Sequence, residues 1–285
     1  MSEAGLTGES GREYKLAYFL DLEGYGDRLI VTTEKGKKST YLLKKLRDEG
    51  QELDFLSRLN HPGIAKYTDE IFAKEGGKLA RYMVFPFDAD DVSLDAEMDN
   101  SPKKPEEVSN LIYRIAEPLV HMHDEGIVHT DIKGGNIVRK KNGDLIIIDF
   151  EGAQDLKGKI QNPRRTYSPG YFAPELYMRG GVTPKTDTYS LGMLGFNLKR
   201  GRPIKGVKRK LLDQQLKVAG SFDRFAKLCG RNERAMRQLG FVTPTKVKRD
   251  FEKAPKRLRE IIASCVELDP HNRPTAIDIR RALKR

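Results

Sequence analysis

Residues 129–150 read HTDIKGGNIVRKKNGDLIIIDF, and four of them are the side-chain types that phosphoryl transfer needs. Asp131 lies two positions after His129, Lys133 two further on and Asn136 three beyond that. Asp149 follows an apolar run thirteen residues after Asn136. In that chemistry one carboxylate orients the attacking hydroxyl, an amide oxygen and a second carboxylate hold magnesium, and a lysine meets the phosphate.

Such residues act together only if larger elements hold them. Residues 14–34 alternate and break at Gly24-Tyr25-Gly26, which predicts a hairpin of Tyr14–Leu22 with Arg28–Thr33. Ser39–Leu46 reads as a third strand. Leu53, Leu56 and Leu59 at helical spacing predict a helix over Asp48–Leu59, ended by His61-Pro62-Gly63. Two more strands are expected at Ile64–Phe72 and Leu79–Phe87, separated by a turn at Glu75-Gly76-Gly77. From Pro105 the pattern is helical. Val108, Leu111, Ile112, Ile115, Leu119 and Met122 share one face of Glu106–Glu125, with Pro118 as a candidate kink. Asn142-Gly143 marks a hairpin turn within 128–149. A loop over 150–175 leads to a helix at Thr186–Lys199 that Asp187 is expected to cap. Further helices are expected at Lys208–Leu228, Glu233–Leu239, Lys256–Glu267 and Thr275–Leu283.

The stretches HTDIKGGN and IDF resemble the HRDxKxxN and DFG loops of eukaryotic-type protein kinases. Seven further stretches extend the resemblance over about residues 14–283: GYGDRLIV, YLLKKL, ELDFLSRLNHPGI, MVFPFD, YSPGYFAPE, DTYSLG and ELDPHNRPTA. It implies a bilobal α+β fold, with a small β-rich N-lobe (14–87) carrying one main helix and a larger helical C-lobe (88–285). The polar, acidic, Gly-rich residues 1–13 are expected to be a disordered leader. The chain ends just past the kinase-like core, so no regulatory domain is expected beyond it.

The resemblance also implies roles. Asp131 would orient and deprotonate a substrate hydroxyl. Lys133 would stabilise the transferring phosphate and point to Ser/Thr as acceptor. Asn136 and Asp149 would bind magnesium, with manganese as the alternative ion. Lys44 would hold the ATP phosphates and pair with Glu52. Gly24 and Gly26 would approach those phosphates, although Leu29 stands at the third glycine position. Val31, Leu42 and Val138 would enclose adenine. Phe85 would be the gatekeeper, and the Pro86 carbonyl with the Asp88 N–H and C=O would face the base. His129 is expected to pack under the metal loop. Asp187 in DTYSLG would also hold the catalytic loop's backbone, Ser168 would contact Asp131 and Lys133, and Glu175 would pair with Arg273. Outside this pattern, Lys44 would be an ordinary solvated strand lysine and Gly24-Tyr25-Gly26 an ordinary turn.

Two letters depart from the family pattern. Thr130 stands where Arg is usual, so activation-loop phosphorylation is not the expected switch, although Arg164, Arg165, Thr166 and Ser168 leave autophosphorylation open. Glu151 stands where Gly is usual, which restricts the backbone and adds charge beside the metal site. The expected function is an ATP-dependent Ser/Thr protein kinase. A pseudokinase scaffold acting through a basic C-lobe surface is the alternative, and a small-molecule kinase of the aminoglycoside or choline type is disfavoured by Glu175 and Arg273.

Composition narrows the setting. No apolar run approaches the roughly 20 residues of a membrane span, and the N-terminus carries no signal-peptide apolar region. Cys229 and Cys265 lack metal-like spacing, which fits a reducing compartment, cytoplasmic or nuclear. The net charge is +11, and Arg202–Glu260 alone holds 18 Lys/Arg against 6 Asp/Glu. That segment suits an acidic protein substrate, nucleic acid or an anionic surface, or is simply a solvated face.

Overall fold

Within the alternating stretch 14–34, residues 14–20 pair with residues 29–34 as an antiparallel ribbon in a six-stranded sheet. The computed structural model describes residues 6–20, 29–34, 40–46, 51–75, 77–158, 168–177, 181–229 and 232–284. In chain order the first elements are β1 (Leu6–Thr7), β2 (Glu13–Leu20), β3 (Leu29–Glu34), β4 (Thr40–Lys45), α1 (Gln51–Arg58), β5 (Asp69–Glu75) and β6 (Lys78–Phe87). The sheet order is β1-β2-β3-β4-β6-β5, antiparallel throughout. Gly8 also bridges Ile71, so the two edge strands β1 and β5 meet. One face is apolar: Tyr14, Leu43, Ile71, Ala80, Tyr82 and Val84 form its core. Leu43 is buried there, which assigns its neighbours Leu42 and Lys44 to the opposite face by strand alternation.

The leader expectation is corrected from Leu6 onward. Leu6 and Thr7 pair with Tyr14 and Glu13, and a buried carboxylate secures the segment. Asp69 Oδ1 accepts from the Ser10 N–H at 3.0 Å and the Glu70 N–H at 2.9 Å. Its Oδ2 accepts from the Tyr14 hydroxyl at 2.9 Å and from the Ser10 hydroxyl. Burial opposes ionisation of Asp69, but the hydrogen bonds led by Ser10 outweigh it and hold the carboxyl below its usual value. Burial first, then the bond to Asp69, pushes Tyr14 up to about 12.

Folded Asp69 gives up its proton more readily than the unfolded chain does, so its contribution is present above the unfolded value of 3.8 and is lost as pH falls through the folded value. Folded Tyr14 keeps a proton that the unfolded chain releases above 10.0, so stability also declines as pH rises from 10.0 toward about 12. Replacing Asp69 with Ala leaves the buried Tyr14 hydroxyl without its acceptor and is expected to cost about 2 kcal/mol. Urea unfolding across pH checks both expectations. A cost under about 0.5 kcal/mol, or an acid limb identical to the parent's, would show that this network is incidental.

Strand β5 starts at Asp69 rather than Ile64. The Pro62-Gly63 turn continues into Ile64, whose N–H donates to His61 O at 3.0 Å, and the ladder to β6 opens only at Asp69 opposite Val84.

The remaining strands are short: β7 (Val92–Ser93), β8 (Ile127–Val128), β9 (Ile137–Arg139), β10 (Leu145–Ile147) and β11 (Gln154–Asp155). The expected hairpin turn is present: Gly143 N–H donates to Lys140 O and Lys140 N–H to Asp144 O, both at 2.8 Å. The helices are α2 (Leu94–Met98), α3 (Pro105–Asp124), α4 (Pro174–Tyr177), α5 (Pro184–Arg200), α6 (Arg209–Ala219), α7 (Phe222–Cys229), α8 (Glu233–Leu239), α9 (Pro244–Asp250), α10 (Lys256–Cys265) and α11 (Ala276–Leu283). The predicted face of α3 is buried, and Pro118 sits within the helix. α3 packs against α5 and α11. α5 is buried on every side from Thr186 to Leu198, as a central helix must be. A Cβ on its Gly192 would fall 2.4 Å from that of Cys265, so glycine there lets α5 lie close against α10.

The helices depart from expectation in several places, two of them with a plain local cause. The helix predicted over Lys208–Leu228 is two, because Gly220 adopts φ 76° and closes α6 with its N–H on Leu216 O. α9 was not expected, although Thr243 caps it by accepting from the Lys246 N–H at 3.2 Å and Pro244 opens it.

The chain forms two compact units, residues 1–91 with 139–146, and residues 92–138 with 147–285. The division therefore falls four residues beyond the expected 87/88 boundary and transfers one hairpin to the first unit. Lys140 pairs with Asp91 and Lys141 with Asp90, which holds the tip of that hairpin to the strand sheet's exit.

Candidate active site

Each unit carries one set of the expected residues. In the first, Lys44 on β4 and Glu52 on α1 form an ion pair at 2.7 Å, with Glu52 almost fully buried. Glu52 is eight residues from Lys44, and α1 places it within reach of the β4 face that carries Leu42 and Lys44. Strand register aligns Val31 with Leu42 and Leu42 with Phe85 in one row across β3, β4 and β6. Lys44 lies two residues along, opposite Met83. Val31 and Leu42 (expected around adenine), Phe85 (expected as gatekeeper) and Lys44 (expected on the phosphates) therefore belong to neighbouring strands in matched register, whereas Val138 lies on β9 in the second unit. Gly24 and Gly26 lie outside the described residues, as does the side chain of Val31.

Asp88 departs from expectation. Its N–H donates to Asp91 Oδ2 at 3.1 Å, and its carbonyl accepts the Asp91 N–H at 3.0 Å. An aspartate three residues along closes a tight turn on both groups that were expected to face a base. Pro86 remains in the ladder opposite Tyr41.

The second unit holds residues 129–138 and 147–150, and the buried carboxylate of Asp187 organises the start of the first stretch. It does not cap α5, which begins three residues earlier at Pro184. Its Oδ2 accepts from the His129 N–H at 2.9 Å and lies 2.9 Å from His123 Nε2, while Oδ1 accepts from the Thr130 N–H at 2.8 Å. These bonds hold Thr130 at φ 68°, a left-handed conformation that costs a β-branched residue about 1–3 kcal/mol. His129 packs where expected: Nε2 meets Ile148 O at 3.0 Å, and its ring sits edge-on to Phe150, centroids 4.9 Å apart.

The fold then presents Asp131 asymmetrically. Lys133 Nζ donates to Asp131 Oδ2 at 2.9 Å and to Ser168 Oγ at 2.9 Å. Asn136 Nδ2 donates to the same Oδ2 at 3.2 Å and to the Asp131 carbonyl at 2.9 Å. Both side-chain donors converge on Oδ2, and Oδ1 takes no hydrogen bond from the described residues. One oxygen is held and the other can accept a proton.

Asp149 comes from the adjacent backbone segment, since Ile148 N–H donates to Asn136 O at 3.0 Å. It too is left-handed, at φ 68°, a conformation that aspartate tolerates. With the amide nitrogen of Asn136 committed to Asp131, its oxygen is the atom suited to a hard cation. One amide oxygen and one carboxylate match the sparse protein ligation of magnesium, which takes its remaining oxygens from phosphates and water. No cluster of three or more His, Cys, Asp or Glu suited to a metal occurs among the described residues. Val138 is half-buried on β9, and Glu151 is half-buried beside the loop.

Glu175 and Arg273 meet as expected, Nη1 to Oε1 at 2.8 Å and Nη2 to Oε2 at 2.9 Å, with both side chains buried. Three contacts were not expected. The Thr130 hydroxyl donates to Gly152 O at 2.8 Å, linking the catalytic and metal loops. The Tyr171 hydroxyl donates to Asp95 Oδ1 at 2.7 Å. Asn197, fully buried in α5, donates from Nδ2 to Gly170 O and accepts the Ile204 N–H at Oδ1, both at 3.3 Å. A lone amide inside the apolar run LGMLGFNL was the available signal for Asn197, because a buried side-chain amide needs partners.

A family model described as Protein kinase domain matches residues 28–283. Cell division control protein 7 of Schizosaccharomyces pombe is 29% identical over 174 residues, covering 61% of this chain and 16% of that protein. Cytokinesis protein sepH of Aspergillus niger is 31% identical over 153 residues, covering 53% of this chain and 11% of that protein. The chain thus spans less than a fifth of either relative. A putative serine/threonine-protein kinase of Acanthamoeba polyphaga mimivirus is 26% identical over 282 residues, covering 90% of this chain and 88% of that protein.

Proposed function

Because the chain belongs to the protein kinase domain family, we propose that it transfers the γ-phosphoryl group of ATP to a serine or threonine hydroxyl of a protein. The observation that carries this reading is Lys133 bonded at once to Asp131 Oδ2 and Ser168 Oγ. That lysine turns one carboxylate oxygen inward, so Oδ1 receives the acceptor's proton while the lysine ammonium sits where phosphate charge develops. Lysine at this position, and the serine/threonine kinase name of the mimivirus relative, support Ser/Thr over Tyr.

Protein kinases in general use ATP with magnesium. In this chain Asn136 and Asp149 would hold the ion, which supplies charge neutralisation at the phosphates. Lys44, fixed by Glu52, would hold the α- and β-phosphates. Val31, Leu42, Phe85, Pro86 and Val138 would enclose the base, with Gly24 and Gly26 near the phosphates. Asp88 would serve the base only after its turn with Asp91 opens. The concentration of positive charge in 202–260 favours an acidic protein partner. Burial pushes the Cys265 thiol up to about 12, which leaves it inert; the favoured setting, a reducing compartment, rests on the two widely spaced cysteines. No helix among the described residues is long and apolar enough to cross a membrane.

The test is labelling from γ-labelled ATP and magnesium onto a mixed protein substrate, followed by phosphosite mapping. Lys44→Met is expected to lower labelling by about 100-fold or more, because it removes a cation from the nucleotide phosphates. Equal labelling by that variant, or sites confined to tyrosine, would defeat the reading. Nucleotide binding without any turnover under magnesium or manganese would favour the scaffold alternative.

A further inference from the structure

The second unit has a groove of about 370 Å³ that the catalytic residues leave unused. Buried Phe241 and Val242 line its floor, and Lys205, Arg237, Lys246 and Arg249 stand around it. One carboxylate answers these four cations: Asp250 lies 2.9 Å from Lys246 Nζ and 3.6 Å from Arg249 Nε. The Arg237 Nε–H donates to a backbone carbonyl, that of Glu233, and the Glu233 carboxylate accepts the Thr245 N–H. Lys205 and Arg237 have no carboxylate partner among the described residues. The groove therefore presents uncompensated positive charge over an apolar floor.

Its position connects it to the loop that carries Ser168 and Gly170. A narrow slot shares the groove's Ile204, Gly206 and Phe241 and extends to Gly170 and Phe172. The backbones there are in close apposition: a Cβ on Gly170 would fall 2.5 Å from Ile204 O, and one on Gly206 would fall 2.8 Å from Gly170 N. Both glycines have positive φ, and Asn197 bonds to both strands of the junction. Gly170 is two residues from Ser168, which contacts Lys133, and two residues span at most about 7 Å of chain.

We propose that this groove docks an acidic segment of the protein substrate within a few residues of the hydroxyl that is phosphorylated, with Lys205, Arg237 and Arg249 reading its carboxylates. The proposal rests on the protein-kinase reading for its substrate, and the charge complementarity carries its occupant. A nucleic-acid strand would call for cations along a track with exposed aromatic rings for stacking. Here the cations ring a concavity and Phe241 is buried beneath it.

Fluorescence anisotropy with two labelled peptides tests the assignment without requiring turnover. One peptide carries a serine flanked by Asp and Glu, and its twin carries Asn and Gln instead. At 50 mM salt the protein is expected to bind the acidic peptide about tenfold more tightly, a preference that shrinks toward 300 mM as charges are screened. The triple variant K205E/R237E/R249E is expected to abolish the preference. All three side chains are exposed, and circular dichroism and melting temperature verify the fold. Arg237→Gln alone, a milder change, is expected to reduce the preference about threefold. Equal binding of the twins, or a preference retained in both variants, would overturn the proposal. So would a single-stranded oligonucleotide that displaces the acidic peptide at the peptide's own concentration and whose binding the triple variant loses. If the preference holds but no protein is labelled in the mixed-substrate assay, the acid-binding groove stands and the kinase reading fails.

Discussion

Replacing Asp131 with Ala is expected to lower phosphate transfer by roughly a thousandfold or more, the scale of a positioned general base lost together with its orienting contacts. The geometry argues for so large an effect. Lys133 and Asn136 both donate to Oδ2, leaving Oδ1 without a hydrogen bond from the described residues. Removing the carboxylate deletes that acceptor and the anchor that places Lys133 beside Ser168. Asp131→Asn separates the two contributions: an amide can still accept from Lys133 through its oxygen but cannot take a proton. Its rate should fall nearly as far as that of Asp131→Ala. Single-turnover measurement of transfer from ATP, alongside nucleotide affinity, provides the check. Nucleotide affinity should change far less than the rate, because the expected nucleotide contacts of Lys44, Leu42 and Phe85 lie elsewhere. A rate within tenfold of the parent's would remove Asp131 from the role.

Replacing Arg273 with Ala is expected to cost about 3–5 kcal/mol of stability, the penalty for leaving a buried carboxylate unpaired. That is a large share of the roughly 5–15 kcal/mol by which domains are stable. All five donors of the guanidinium are engaged. Nη1 and Nη2 fork onto Glu175, Nη1 also donates to Lys185 O, Nη2 to Leu268 O, and Nε to Glu267 O. The group also stacks over Tyr189 at 4.7 Å. Arg273→Lys should rescue little, because an ammonium presents no planar fork. Glu175→Gln combined with Arg273→Ala should cost less than the two single changes added together, since the second removes a charge already stranded by the first. Chemical denaturation of the four proteins gives the comparison, and a loss below about 1 kcal/mol for Arg273→Ala would contradict it.

The parts of this molecule that the sequence made legible are those set by periodicity or by a motif with fixed spacing. The β2–β3 ribbon, the buried face of α3, and the Lys44–Glu52 and Glu175–Arg273 contacts appear where they were expected. The leader was misread because a polar, Gly-rich segment carries no apolar signal, and its order depends on Asp69, 59 positions from Ser10. α9 was missed because seven residues are too few for a periodic pattern, leaving only the Thr-Pro cap. Asp187 was legible as a holder of the catalytic loop through the DTYSLG resemblance and misjudged as a cap through local rules. Asp88 was assigned to a base by analogy, whereas Asp91 three residues later competes for the same amide. The Asn197 clamp joins loops that are 27 and 7 residues away, a juxtaposition that only the folded chain supplies.

The Thr130–Gly152 bond has a physical consequence for how these loops communicate. Where an arginine would couple the catalytic loop to its surroundings by charge, this chain uses a neutral hydroxyl and a peptide carbonyl. Such a bond carries no formal charge for a phosphate to recruit, salt to screen or a proton to cancel. It responds to distance and angle alone. The loop that carries Thr130 is therefore coupled to the segment after Asp149 as a mechanical linkage is, by whether that backbone is in place.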